Sequence, residues 1–458
     1  MTFYQPDSSP RQKVSGLALD LSWWVWFVAI AALFFLDSMQ RLAATVFMAA
    51  SMAYALARPG LAIKATLSYW IPWTYVMFAA LSVLWSQYPV WTLRASIQFA
   101  FTTGVFLVMA RALPPTSLLS VYLAAILLAD AASLANPRTA WNTGGLALIG
   151  IFGSKNSFGL TQALLIQVGV WVLLDHRQRR LMRALALIGV VGGSFLIVAA
   201  LSVGAVVALF GALACSFLAF NLQHFPRRSR VIILYAGGLL IAILCSFGIV
   251  FSDELFQEAL QLSGKSTSLS DRTPLWDVAS KMMQDHPIGG VGYQAFWQHG
   301  NPYAEDLWRR FQPTRAGYHF HNLWYQCGVD LGHIGLGLAL LTVAITAIEV
   351  MRWVVRSPSP ASCFFLGYVV FIILRSMLEV DLFAQFSATG AIFLAAFVYA
   401  RQSRERYEPG RRVGTDAEER LGDIRPSADF ADSASTGHMQ RCADLDRRAH
   451  FRYRGNET

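Results

Sequence analysis

Charge is scarce in this chain. Of its 458 residues only 14% are Asp, Glu, Lys or Arg, where an ordinary soluble domain carries about a quarter. That scarcity argues against a soluble globular enzyme. Cysteine is scarce as well: Cys215, Cys245, Cys327, Cys363 and Cys442 follow neither metal-ligand spacing nor a pairing pattern. A disulfide framework and a cysteine-based zinc module are therefore excluded. The first four lie in or beside apolar stretches and read as small buried hydrophobes. Acidic residues are outnumbered, 28 against 37 basic ones, for a formal charge of +9. No basic stripe lies outside short loops, so nucleic acid is not the expected partner. The first apolar run lacks a small-residue cleavage site and a second run follows at once, so no cleavable leader is expected. No internal repeat is visible.

What is present is apolar residue in runs. Hydrophobic residues make up 55% of the chain, and a spanning helix needs about 20 of them in succession. Such runs, some of them short, are read at 21–36, 42–57, 67–85, 92–110, 116–135, 156–174, 184–200, 204–221, 231–251, 322–350, 361–378 and 386–400. In a solvent without hydrogen bonds the backbone must satisfy itself, so the fold class is all-α, a polytopic membrane protein of about twelve helices. Residues 184–221 are apolar throughout and too long for one straight span; Gly192, Gly193 and Gly204 offer places to turn. The resulting organisation is an N-terminal segment 1–20, helices 1–9 within 21–251, a polar loop 252–321, helices 10–12 within 322–400, and a tail 401–458. The tail is rich in charge, Ser, Gly and Pro and is expected to be disordered.

Arginine distribution orients this arrangement. Arg58 and Lys64, Arg111, the Arg177–Arg183 cluster, Arg227–Arg230, Arg352 and Arg356, and the tail fall on one side; Arg41, Arg94, Arg138 and Lys155 are the sparse basic residues of the other. By the positive-inside rule both termini are cytoplasmic and the 252–321 loop faces outward. At about 70 residues that loop is too long for a plain connection. Asp271-Arg272-Thr273-Pro274 reads as a helix start, with Asp271 or Thr273 as cap and Pro274 in the first turn. Leu275, Trp276, Ala279, Met282 and Met283 then share one face. The expectation is a short amphipathic helix on the outer membrane surface, ended by Pro287 and the Gly289, Gly290 and Gly292 turn residues. Trp276, Tyr293, Trp297, Tyr303 and Trp308 are available either to stack on sugar rings or to seat the loop at the interface.

The outer side thus collects Arg94, Lys155 with Asn156, Arg272, and His321 with Asn322 at the mouth of the tenth helix. Arginine offers a planar fork to phosphate oxygens and lysine a point charge. A histidine beside them can take a proton from an attacking hydroxyl. The bland alternatives are a snorkelling Arg and a hydrogen-bonded helix-end His. Arg375 and Glu379 lie one helical turn apart near the end of the eleventh run, with Asp381 just beyond. They are either functional intramembrane charges or a self-neutralising pair. The loop carries no Asp-x-Asp pair, and its histidines lack metal-ligand spacing, so neither a metal nor a cofactor is expected.

Four stretches in order resemble the O-antigen ligase and polysaccharide polymerase superfamily, and most closely its ExoQ-type exopolysaccharide polymerases. They are Leu81-Ser82-Val83-Leu84-Trp85-Ser86 with Pro89 and Arg94; Gly150-Ile151-Phe152-Gly153-Ser154-Lys155-Asn156-Ser157-Phe158-Gly159; Arg272-Thr273-Pro274-Leu275-Trp276 with His286–Tyr293 and Phe296; and His321-Asn322 with Gly328 and Gly332-His333-Ile334-Gly335. The resemblance implies a metal-independent glycosyl transfer at the periplasmic face of a bacterial inner membrane, from a glycan carried on undecaprenyl pyrophosphate. Arg272 would be the pyrophosphate-binding cation and His321 the essential histidine. Lys155, Asn156, Arg94, Asn322, Arg375 and Glu379 are the binding candidates. A flippase and a chain-length regulator are implied partners beside the bilayer itself. One departure stands out: many relatives carry a Ser-Arg pair where this chain has Leu201-Ser202-Val203-Gly204, without a cation. The expected function is polymerisation of lipid-linked repeat units. The rivals are ligation of a finished glycan to a lipid A core and, from another class, solute transport, which usually keeps its polar site at the midplane on broken helices.

Overall fold

The computed structural model describes residues 21–142, 145–250, 272–311 and 318–407. Asp271, the 1–20 segment and the tail beyond Tyr407 lie outside them. In chain order the helices are α1 (Leu21–Phe34), α2 (Leu36–Ala57), α3 (Pro59–Ser68), α4 (Ile71–Leu81), α5 (Pro89–Ala112), α6 (Pro115–Ala135), α7 (Lys155–Leu174), α8 (Arg180–Ala199), α9 (Val203–Asn221), α10 (Arg227–Val250), α11 (Thr273–Asp285), α12 (Pro302–Phe311), α13 (Leu323–Arg356), α14 (Pro360–Ser376) and α15 (Ala388–Tyr407). One antiparallel hairpin, β1 (Thr139–Asn142) and β2 (Gly145–Leu148), pairs Thr139 with Leu148. The described residues from Leu21 to Arg404 form one compact unit. The chain is an all-α membrane protein, and each apolar run read from the sequence coincides with a helix. By length and composition, six described helices can cross a membrane, or seven if α2 and α3 count as one broken span bent by 103°. α1, α4 with its 3-10 extension to Leu84, and α14 are shorter apolar helices.

Several boundaries differ from expectation for local reasons. Pro59 begins α3 where a plain loop was expected, because Pro ends one helix and is well suited to the first turn of the next. The 67–85 run starts only at Ile71, with Pro72 in its first turn. α13 continues to Arg356 and is broken within by Gly332, whose φ is +63. The turn expected near residues 201–204 is present between α8 and α9. Leu201, with φ +51, makes it rather than a glycine.

Between apolar helices in lipid, close packing and polar ties supply the cohesion that water-driven burial supplies elsewhere. α7 packs along α8, α9 along α14, and α1 along α2 and α6. Gly159 permits one such approach: a Cβ there would sit 2.6 Å from that of Ser202. Hydroxyl and indole groups tie helices distant in sequence. Trp23 Nε1 donates to Ser120 Oγ at 2.8 Å, Tyr122 Oη to the Ala388 carbonyl at 2.7 Å, and Tyr399 Oη to the Leu113 carbonyl at 2.9 Å. Each such tie contributes about 0.6 kcal/mol in a membrane protein.

The segment between α10 and α13 has a core of its own. Leu275, Ala279 and Met282 of α11, Leu307 and Trp308 of α12, and Phe296, Trp297 and Phe320 form a second buried cluster. α11 is amphipathic as the spacing predicts, but protein fills its apolar face instead of lipid: Leu275, Ala279 and Met282 are buried, and the helix packs on α13.

A candidate polar site around Glu379

The residues of two motif stretches dock the segment. The turn after α11 lies against the break in α13. Val291 N–H donates to the Val329 carbonyl at 3.0 Å, Gly292 N–H to that of Asp330 at 2.9 Å, and His333 N–H to that of Pro287 at 2.7 Å. On the other flank Trp85 Nε1 donates to the Gly289 carbonyl at 2.9 Å, Gln87 N–H to that of Val291 at 3.1 Å, and Tyr293 N–H to Ser82 Oγ at 3.0 Å. The Leu-Ser-x-x-Trp-Ser stretch and the His286–Tyr293 stretch are thus one interface. Of the aromatic residues available for sugar stacking, Tyr293, Trp297 and Trp308 are buried in it and in the segment's core. Trp276 donates its indole N–H to the Phe320 carbonyl at 2.9 Å and stacks on Tyr325.

The other two stretches and the start of α11 converge on one carboxylate. Glu379 follows the end of α14 and keeps only 9% of its side-chain surface. Its Oε1 accepts from Arg272 Nη2 at 3.0 Å and from Asn156 Nδ2 at 2.7 Å. His321 Nδ1 lies 3.3 Å from Oε1 and 3.2 Å from Oε2. His319 Nε2 is 3.8 Å from Oε2. Arg272 also donates from Nη1 to the Leu378 carbonyl at 2.8 Å. Among the described residues these bonds use two of its five N–H donors.

Local structure explains each position. Arg272 occupies the N-cap place of α11. Asn156 is in the first turn of α7, which Ser154 caps by accepting from Ser157 N–H, and Lys155 opens the same helix. Asn322 caps α13, accepting from the N–H groups of Trp324 and Tyr325, and donates to the Met377 carbonyl at 3.2 Å. Phe320 turns into the segment's core, which leaves the imidazoles on either side of it facing Glu379. His321 takes φ +50, a left-handed conformation costing a non-glycine residue about 1 kcal/mol or more. Such strain persists where surrounding contacts fix it, here the Asn322 cap and the bond from His321 N–H to His319 Nδ1 at 3.1 Å.

Arg375 does not join this cluster as sequence spacing allowed. The Glu379 N–H does close a helical turn onto the Arg375 carbonyl at 2.8 Å, but the Arg375 side chain turns to a different carboxylate. Arg375, 3% exposed, pairs with Asp381 through Nε at 2.6 Å and Nη2 at 3.3 Å. Arg94 is on the exposed face of α5, its guanidinium 5.5 Å from the Trp91 ring centroid, and no ion pair or hydrogen bond among the described residues links it to Glu379. Two contributors escaped the sequence reading. His319 carried only the His-x-His spacing as a signal. Ser202, in the α8–α9 turn, donates to Asn156 Oδ1 at 3.4 Å and carried no signal beyond its place.

Electrostatics follow from crowding. Burial by itself would raise the Glu379 carboxyl. The hydrogen bond and charge of His321, then His319 and Arg375, outweigh it and hold the group below the usual carboxylate range. Arg272 acts in the same direction. Burial first, then His321 and the Arg272 and Arg375 guanidiniums, push His319 down to about 3. His319, His321 and Glu379 are the group among the described residues whose ligand-type atoms lie within 4.8 Å of one another. Their hydrogen bonds suit proton and charge positioning better than metal ligation. His319 Nδ1 already accepts a backbone N–H, which puts the ring proton on Nε2, and a metal would need that lone pair. Glu379 meanwhile serves a guanidinium, an amide and an imidazole. An ionised carboxylate only accepts, so His321 presents Nδ1–H to it, and Nε2 is the ring nitrogen not engaged by the carboxylate.

Comparison with known proteins agrees with the resemblance drawn from the four stretches. A family profile described as O-antigen ligase matches residues 188–340, from α8 into α13, a range that holds Arg272 and His321. The chain is 27% identical over 329 residues to the exopolysaccharide production protein ExoQ of Rhizobium meliloti (strain 1021), covering 68% of this chain and 72% of that protein.

Proposed function

We propose that this chain is a membrane glycosyltransferase that joins undecaprenyl-pyrophosphate-linked oligosaccharide repeat units into an exopolysaccharide at the periplasmic face of the inner membrane. The likeness to an O-antigen ligase domain and to an exopolysaccharide production protein supports an enzyme of this kind. The observation that carries the reading is the convergence of Arg272, His321 and Asn156 on Glu379 from α11, the start of α13 and α7. Arg272 keeps donors for the pyrophosphate oxygens and stabilises the charge that grows on them as the anomeric C–O bond breaks. The acceptor hydroxyl oxygen forms the new bond to that carbon, and its proton passes to His321 Nε2. Glu379 orients His321 through Nδ1 and holds Arg272 in register, a positioning role. Pyrophosphate is already a good leaving group, so the scheme needs no metal. Lys155 stands beside Asn156 in α7 and supplies the charge that the Leu201–Gly204 turn lacks.

A second reading keeps the chemistry and changes the acceptor: a finished glycan passed to a lipid A core. The profile described as O-antigen ligase favours it. Alanine at His321 or Arg272, in protein shown to insert normally, should lower long-chain glycan by at least ~100-fold. Accumulation of single lipid-linked repeat units identifies the polymerase. Free long chains without a core adduct identify the ligase. Unchanged glycan in both variants would end the proposal.

A further inference from the structure

At the far end of α13 from His321, a second basic site is built. α13 has 34 residues, which sets its ends about 50 Å apart along the helix path. There Arg227, Val231 and Tyr235 of α10 and Arg352, Val355 and Arg356 of α13 line a cavity of 390 Å³. Arg230 holds the two helix ends together by donating to the carbonyls of Gln223, Phe225 and Val355. Arg352 is neutralised by Glu349 at 3.1 Å, a carboxylate also shared with Arg401 and Arg404. No carboxylate pairs with Arg227 or Arg356 among the described residues, and Arg356 Nη1 is buried without a hydrogen-bond partner.

A buried guanidinium N–H left unmatched is costly, so this position calls for an acceptor, and an anionic oxygen makes the stronger, charge-assisted bond. The cavity exceeds what a phosphate alone fills and suits a headgroup. Val231 and Tyr235 of its wall are followed along α10, one helical turn on, by the exposed side chains of Leu239 and Leu240. A phosphate-sized charge at the mouth with acyl chains along that wall is the shape of a phospholipid.

We propose that the α10–α13 cavity binds the phosphodiester headgroup of an anionic phospholipid, held by Arg227 and Arg356. This site is separate from the Glu379 cluster and does not depend on the glycan chemistry. The purified full-length protein should retain phosphatidylglycerol or cardiolipin adducts in native mass spectrometry after detergent exchange. Their affinity should exceed that for phosphatidylcholine by at least tenfold. Arg227→Gln with Arg356→Gln should remove that preference, and the Lys pair should weaken it less, because Lys keeps the charge without the planar fork. Arg228→Gln, which does not line the cavity, should leave it intact. Inorganic phosphate should displace the lipid only weakly. If inorganic phosphate at low millimolar concentration occupies the site as well as the lipids do, the lipid assignment fails. Equal retention of phosphatidylglycerol by wild type and the double Gln variant overturns the proposal.

Discussion

At the scale of single residues, the decisive feature is a carboxylate that serves several partners at once. Glu379 gathers Arg272, Asn156 and His321 while Arg375 is satisfied by Asp381. The His319 imidazole beside them gives a pH signature. It is held neutral in the folded protein, down to about 3, while an unfolded histidine protonates near 6.5. Between those values the unfolded chain binds more protons, so stability rises with pH there. Stability should be complete above about pH 6.5 and decline as pH falls below it. Melting temperatures of the purified protein between pH 7.5 and 5 measure this. His319→Gln should flatten the slope; an unchanged slope would place the proton uptake elsewhere.

At the scale of elements, the break in α13 is what seats the loop turn. Gly332 has φ +63, and a Cβ there would run into the Ile288 carbonyl. Ala at this position meets both a left-handed backbone, costing about 1–2 kcal/mol, and a backbone collision. Gly332→Ala should therefore lower stability by about 2 kcal/mol or more and expose residues 286–300 to protease. Gly337, on the same helix with open space around its Cβ, is the control: Gly337→Ala should be neutral or slightly stabilising. Equal behaviour of the two variants would show that the docking does not depend on the break. The element scale also accounts for the motif stretches. Those at 81–86 and 286–293 bind each other, whereas those at 150–159 and 321–335 deliver Asn156 and His321 to the carboxylate.

For the whole molecule, the proposed reaction requires the α11–α12 segment to face outward and the arginine clusters inward. Alkaline phosphatase fused near Gly300 should be active, and fusions within Arg177–Arg183 or after Arg228 should be inactive. The reverse pattern would leave the Glu379 cluster on the wrong side for a glycan already carried across the bilayer. It would also move the α10–α13 cavity to the opposite leaflet.

The positions of the helices were legible in the chain because apolar run length and proline punctuation are local properties. Pro59, Pro72, Pro89, Pro115, Pro274 and Pro360 each sit in a first turn. The β1–β2 hairpin was not legible, since four-residue strands leave too short a pattern to read. Arg272, His321, Asn156 and Glu379 could each be named as candidates from residue type and context. That they share one carboxylate was decided by tertiary structure alone, since Asn156 and Glu379 are 223 positions apart and no local spacing encodes such a meeting. The same holds for Arg375. Sequence spacing offered it Glu379, with Asp381 just beyond, and only the folded chain shows that its side chain pairs with Asp381.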